Sequence, residues 1–307
     1  MLILRVFTAV VGLPILMALL SRGSHTLVLC FFCFCSAIAV YEAALMVLPE
    51  FDRLFALHPV MIQAKDDSRE RSVKLQGEFS KSSYRRAALL CGLGMLALCF
   101  AVAGVQPQAG LGIVISALGI VILFSIFLTR GIDAEVSRMS GVLVTVVYAG
   151  LPWVLIWNLY ELRSDAALVF MLLSIVWGGD TGAYFGGRFF GRHKLSPQKS
   201  PKKTWEGAIA GMVVSIAAAV FVEIYFSYPL GGISQAVAAG ALCGSLGQLG
   251  DLVESVIKRF ARVKDSGALF PGHGGFLDRV DGLLVAAPGL WLLFALLQNV
   301  QLLARAQ

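Results

Sequence analysis

Nine apolar stretches run through this chain, at about 2–20, 26–47, 87–105, 109–128, 139–158, 166–179, 207–227, 232–250 and 282–303. A helix needs roughly 20 such residues to cross the hydrocarbon core of a bilayer, and within that core its backbone must satisfy its own hydrogen bonds. The sixth stretch is short on that measure. A mean hydropathy of +0.79, with 14% charged residues, excludes a soluble domain, whose surface needs more ionic groups. The expected fold class is all-α: a polytopic integral membrane helical bundle of about nine transmembrane helices.

Lys and Arg accumulate on the cytoplasmic side of such proteins, which tests the span count. With nine spans, all of the 25 basic residues except Arg22, Arg163 and Arg305 fall on one side. This places the N-terminus inside and the C-terminus outside. The net charge of +6 then reports topology and calls for no nucleic acid partner. Cys30, Cys33, Cys35, Cys91, Cys99 and Cys243 all lie in apolar runs, as small hydrophobes rather than disulfide partners or thiolate ligands. The first run is expected to be retained as a helix, since it lacks a clear small-x-small cleavage site. The 48–86 loop is polar and mixed in charge, a solvated and partly helical linker with no assigned chemistry.

Ionisable groups at membrane depth are costly and need a partner or a task. Glu42, Asp180, Asp251, Asp278 and Asp281 stand at span ends on the same expected side, where they could converge on one cavity. Asp278 and Asp281 share a helix face, as do Asp251 and Ser255. Oxygen ligands of this kind suit Mg²⁺, which takes few protein carboxylates and keeps positions for water and phosphate. Zinc is disfavoured, because no His or Cys clusters near them.

Donors for phosphate lie around these acids. Arg188, Arg192, His193, Lys194, Lys199, Lys202 and Lys203 crowd a segment punctuated by Pro197 and Pro201. The turn Pro271-Gly272-His273-Gly274-Gly275 leads into the last apolar run and could aim backbone N–H groups and a helix N-terminus at an anion. Lys264, Asp265, Asp278, Arg279 and Asp281 flank it. Acids for metal and bases for phosphate are together the equipment of phosphoryl or nucleotidyl transfer. Gly240, Gly244, Gly247 and Gly250 recur along the eighth run and permit close helix contact where Asp251 emerges.

Ser255-x-x-Lys258-Arg259, Lys264-Asp265, His273-Gly274-Gly275 and Asp278-Arg279-x-Asp281, in that order, resemble the signature of phosphatidate cytidylyltransferases. The segment 177–207, WGGDTGAYFGGRFFGRHKLSPQKSPKKTWEG, is similar to that family's other strong stretch. The resemblance covers about 177–284, with Arg5 and Tyr41-Glu42 as echoes before it. It implies a single membrane-embedded domain over 1–307, with an N-terminal portion over residues 1–140 and a catalytic C-terminal portion over about 177–284. It further implies a homodimeric enzyme of the bacterial inner membrane, with its active site facing the cytoplasm. That enzyme would join CTP to phosphatidic acid with Mg²⁺, yielding CDP-diacylglycerol and pyrophosphate.

Under that resemblance Asp251 and Asp278 hold Mg²⁺, with Asp281 and Asp180 as further ligands or supports. Lys202, Lys203, Lys264 and Arg279 neutralise phosphate, and His273 donates. Asp265 joins the catalytic set, and Ser255, Lys258 and Arg259 the substrate-binding set. The alternatives are a CTP-dependent polyprenol or phytol kinase and, from another class, an ion-coupled transporter.

Overall fold

The computed structural model describes residues 14–62, 90, 94, 140–163, 165–196, 200–267, 269 and 274–306. Its elements are helices α1 (His25–Ile62), α2 (Ser140–Glu161), α3 (Ala167–Phe190), α4 (Trp205–Tyr225), α5 (Ile233–Phe260) and α6 (Leu277–Ala306), with strands β1 (Lys194–Ser196) and β2 (Ser200–Thr204) between α3 and α4. Six helices among the described residues are long and apolar enough to cross a membrane. The protein is thus an all-α, multi-pass membrane protein. The expected runs 87–105 and 109–128 fall outside the described residues, apart from single helical positions at 90 and 94. Of the run 2–20, residues 14–20 are helical.

Several boundaries move from their expected places. Glycines end the sixth run at 179 by hydropathy, but α3 continues to Phe190 and places Asp180 inside a helix. Those glycines face α4. A Cβ on Gly182 would lie 2.7 Å from a Val214 methyl, and one on Gly186 or Gly179 would collide with Ala210 or Ser215. From the other side, a Cβ on Gly211 would stand 2.8 Å from the Gly179 carbonyl oxygen. Small residues on both faces let the two backbones touch, which drives helix association in lipid. Ser215 fastens the contact by donating to the Ile175 carbonyl at 2.9 Å. The last helix likewise begins at Leu277 rather than 282, so Asp278 and Asp281 belong to its first turns. Residues 48–62 of the expected loop continue α1.

A two-stranded antiparallel hairpin, paired Lys194 with Thr204 and Ser196 with Ser200, interrupts the otherwise helical chain. Thr204 ends it and opens α4. Its backbone is extended at φ −128° and its hydroxyl accepts from the Gly207 N–H at 3.2 Å, a side-chain N-cap. In α2 a π turn over Val146–Gly150 precedes Pro152, with the Leu151 N–H reaching back to the Val146 carbonyl. The wide turn accommodates a proline that offers no N–H of its own.

The chain divides into two compact units. One comprises residues up to Val28, Pro152–Val256 and Asp278 onward, and its core includes the fully buried Leu168, Met171, Leu172, Ile175, Leu284 and Leu290. The other comprises Leu29–Leu151 and Ile257–Leu277, where Ala44 and Leu48 pack with Tyr41, Leu45 and Val142. The described cysteines Cys30, Cys33, Cys35 and Cys243 are all free thiols, in keeping with their apolar setting.

Two carboxylates shape the turns of the first unit. Glu223, fully buried, accepts from the N–H groups of Leu230 at 3.0 Å and Gly232 at 2.7 Å and so closes the α4–α5 turn. Asp165, between α2 and α3, meets the Arg163 guanidinium at 3.0 and 2.6 Å and accepts from the Ala167 N–H. The Arg163 hydrogen bond holds the Asp165 carboxyl below its usual range. A depressed folded pKa contributes stability that is present above the unfolded value and lost as pH falls through the folded one. Asp165 is 37% exposed, so Asp165→Asn should cost less than about 1 kcal/mol at neutral pH. The difference in thermal unfolding between the two proteins should begin to shrink as pH falls below about 4 and vanish only below the depressed folded pKa.

Candidate active site

One helix face builds the wall of a cavity of about 410 Å³. Asp180, Ala183, Tyr184, Gly187 and Arg188 of α3 recur at the helical spacing of three and four and line it together. The first turn of α4 adds Gly207 and Ala208, α5 adds Gln248 and Asp251, and the hairpin adds Leu195, Lys202, Lys203 and Thr204. Glycine is needed at 207, where a Cβ would stand 2.8 Å from the Ala183 carbonyl oxygen and 3.0 Å from the Thr204 hydroxyl. The close approach of α3 and α4 therefore sets the cavity's width.

The lining carries three cations, Arg188, Lys202 and Lys203, against two carboxylates, Asp180 and Asp251. Lys203 is the pivot. Its Nζ lies 2.8 Å from Asp251 Oδ2 and 3.3 Å from the Gln248 carbonyl oxygen. Gln248 in turn donates to the Ala208 carbonyl at 3.0 Å, which ties α5 to the start of α4. Asp180 interacts electrostatically with both Asp251 and Lys203. Arg188 donates to the Tyr184 hydroxyl at 3.0 Å, one turn back on its own helix. Lys202 is exposed.

Glu206 secures the start of the hairpin. It accepts from the backbone N–H groups of Arg192 and His193, and its Oε1 lies 2.6 Å from His193 Nδ1. Sequence reasoning passed over Glu206 and Gln248. A signal existed for the former, since a Thr directly before an apolar run with Glu in the first turn marks a helix start. Gln248 is identified by tertiary contacts alone.

The remaining candidates divide. Gly250 of α5 meets α6 where a Cβ would lie 2.5 Å from the Asp281 carbonyl oxygen, so Asp251 and Asp281 flank one helix crossing. Asp281 itself accepts from the Gly282 N–H at 2.8 Å. Asp278 is half-buried and Arg279 exposed on the first turn of α6. Ser255 is half-buried on α5. Lys258, Arg259, Lys264 and Asp265 belong to the second unit, the last three of them exposed. Lys199 and His273 lie outside the described residues.

Glu42 is buried within the second unit, where it accepts from Ser266 Oγ at 3.1 Å, the Phe276 N–H at 3.1 Å and the Leu277 N–H at 2.9 Å. Two backbone N–H groups at the start of α6, those of Phe276 and Leu277, thus point at the protein's own carboxylate.

Among the described residues no three His, Cys, Asp or Glu side chains gather as a metal cage. The cavity offers Asp180 and Asp251. One or two carboxylates, completed by water and phosphate oxygens, is the donor set by which Mg²⁺ usually binds beside a polyphosphate. The residues present therefore fit that ion.

The chain is a multi-pass helical membrane protein whose cavity pairs two carboxylates with two lysines and an arginine. Residues 76–297 match the profile of the cytidylyltransferase family, and the chain belongs to that family. It is 47% identical over 143 residues to a protein of Brucella suis biovar 1 (strain 1330) named phosphatidate cytidylyltransferase, covering 45% of this chain and 52% of that one. Proteins of the same name from Haemophilus influenzae and Bacillus subtilis (strain 168) are 45% and 43% identical over 125 and 128 residues. These matches cover 39% and 42% of this chain and 43% and 47% of theirs. The chain spans about half the length of the curated relatives it matches.

Proposed function

We propose that this protein is a phosphatidate cytidylyltransferase, a nucleotidyltransferase of phospholipid biosynthesis that condenses CTP with phosphatidic acid to CDP-diacylglycerol and pyrophosphate. The observation that carries the reading is the mixed cavity of Lys202, Lys203 and Arg188 against Asp180 and Asp251 in a membrane-embedded chain of this family. A phosphate oxygen of phosphatidate attacks the α-phosphorus of CTP. The new P–O bond forms as the bond to the β-phosphate breaks, and pyrophosphate leaves with the electron pair. The nucleophile is already anionic, so no strong base is required. Bringing two polyanions together is the larger barrier, and preorganised cations lower it.

Lys202, Lys203 and Arg188 face those phosphates in this reading, with Lys264, Arg279, Lys258 and Arg259 as further basic contacts. Asp180 and Asp251 would hold Mg²⁺, with Asp278 and Asp281 as additional ligands or supports. When bound, the ion supplies charge neutralisation and orientation of the nucleotide phosphates. Ser255, Asp265 and His273 complete the substrate contacts. The same reading takes the chain as one membrane-embedded domain with about nine spans in a bacterial inner membrane. Its active site faces the cytoplasm, where CTP arrives from solution and phosphatidate from the leaflet, and it acts as a homodimer.

Purified protein in detergent, given phosphatidic acid, Mg²⁺ and CTP labelled at either the α or the γ phosphate, tests this. Label from the α position is expected in lipid and from the γ position in pyrophosphate. Label from the γ position in lipid, with CDP released, would make it a lipid kinase. No transfer from folded protein would remove the enzyme reading in favour of transport.

A further inference from the structure

We infer that Glu42 is a positioning residue for the proposed reaction: its buried carboxylate pins both ends of the segment Ser266–Leu277 and so fixes the loop that carries Lys264 and Asp265. The inference rests on the cytidylyltransferase reading above. Ser266 donates to the carboxylate from one end of the segment, and the Phe276 and Leu277 N–H groups donate from the other. Two glycines make room. A Cβ on Gly267 would strike Glu42 Oε1, and one on Gly275 would strike both Ser266 Oγ and Glu42 Oε2. Glu42 lies more than 220 positions away in sequence and is 5% exposed. Unpaired carboxylates are rarely buried so deeply, because desolvation is not repaid without donors.

The chemistry requires a carboxylate. Oε1 receives Phe276, and Oε2 receives both Leu277 and Ser266. An amide at this position has one acceptor oxygen, so in either orientation its NH₂ would face a backbone N–H. Glu42→Gln must therefore release at least one end of the segment. Exposed Lys264 sits two residues before Ser266, so the release reaches a cation proposed to meet phosphate.

A double-mutant cycle of Glu42→Gln with Lys264→Ala, in full-length protein with CTP and phosphatidic acid, tests this. Misplacement by about 1 Å can cost on the order of 100-fold in rate, so Glu42→Gln should lower kcat by about that factor and change the KM for CTP by less than about threefold. The penalty of Lys264→Ala should nearly vanish in the Glu42→Gln background, because Lys264 is already displaced. A residue that merely supports the fold would leave the two penalties multiplying, and that result, or an unchanged kcat, overturns the inference. Should Glu42→Gln fail to accumulate as folded protein, Ser266→Ala takes its place under the same criteria.

A readout independent of turnover separates this inference from the function on which it rests. Trypsin cleavage after Lys264 should quicken about tenfold in Glu42→Gln as the local opening becomes cheaper. An unchanged cleavage rate overturns the inference even if the enzyme is active. An inactive wild-type protein whose loop does loosen in Glu42→Gln would sink the enzymatic reading while leaving the clamp standing.

Discussion

Asp251→Asn should lower CTP turnover by roughly a thousandfold, the scale of losing one well-placed electrostatic group in an active site. Insertion and thermal stability should hold. The side chain of Asp251 is 43% exposed, and an exposed ion pair contributes about 0–1 kcal/mol to stability. Asparagine keeps the shape and removes the charge. Lys203, now without its carboxylate at 2.8 Å, stands beside a cavity that has lost half of its acidic groups. Under the proposed function this removes a metal ligand and the partner that orients Lys203, so raising Mg²⁺ should recover only a fraction of the rate. Steady-state kinetics with α-labelled CTP, alongside a thermal unfolding curve, measure both consequences. Turnover within about tenfold of wild type in a folded variant would exclude Asp251 from the chemistry. Asp278→Asn is expected to abolish activity too, and comparing the pair ranks the two candidate ligands.

Gly250→Val should cost about 1–3 kcal/mol of stability, through overpacking at a backbone crossing, and should lower activity further than the stability loss explains. A Cβ there would lie 2.5 Å from the Asp281 carbonyl oxygen and 2.9 Å from Gly282 Cα. Both neighbours are backbone atoms, so no rotamer can yield. The helices α5 and α6 must move apart, carrying Asp251 and Asp281 with them. Gly247→Ala on the same helix is the control, since its Cβ would meet the Val176 methyls at an ordinary 3.5 Å. Thermal unfolding in detergent and kcat for the two variants should diverge sharply. Equal tolerance would show that the crossing adapts and that its spacing does not govern the site.

Hydropathy and charge bias revealed the helices because both are local properties, readable in a window of 20 residues. They placed Asp180, Asp251, Lys202 and Lys203 in one neighbourhood, and the cavity lining unites those four. The same hydropathy rule ended the sixth run too early, because Gly182 and Gly186 lower its score even though α4 packs on them. Helix packing is a property of pairs, so no single segment announces it. Glu42 shows the larger limit. Its side chain looked like one more carboxylate at a span end, and nothing local announced that its donors would be Ser266 and the N–H groups of Phe276 and Leu277, more than 220 positions away. The hairpin was missed for a different reason: strands of three and five residues carry almost no periodic signal within a run of prolines and lysines.

The wall of the cavity also has a length. From Asp180 to Arg188 the helix rises about 12 Å, whereas the headgroup layer of one leaflet is only about 5–8 Å thick. If Arg188 stands among headgroups, Asp180 lies at the depth of the acyl chains. Under the proposed function the lipid's phosphate would then have to descend toward Asp180 while its tails stay in place, and membrane thickness would become a variable of the reaction: a thicker bilayer would lengthen that descent and a thinner one shorten it.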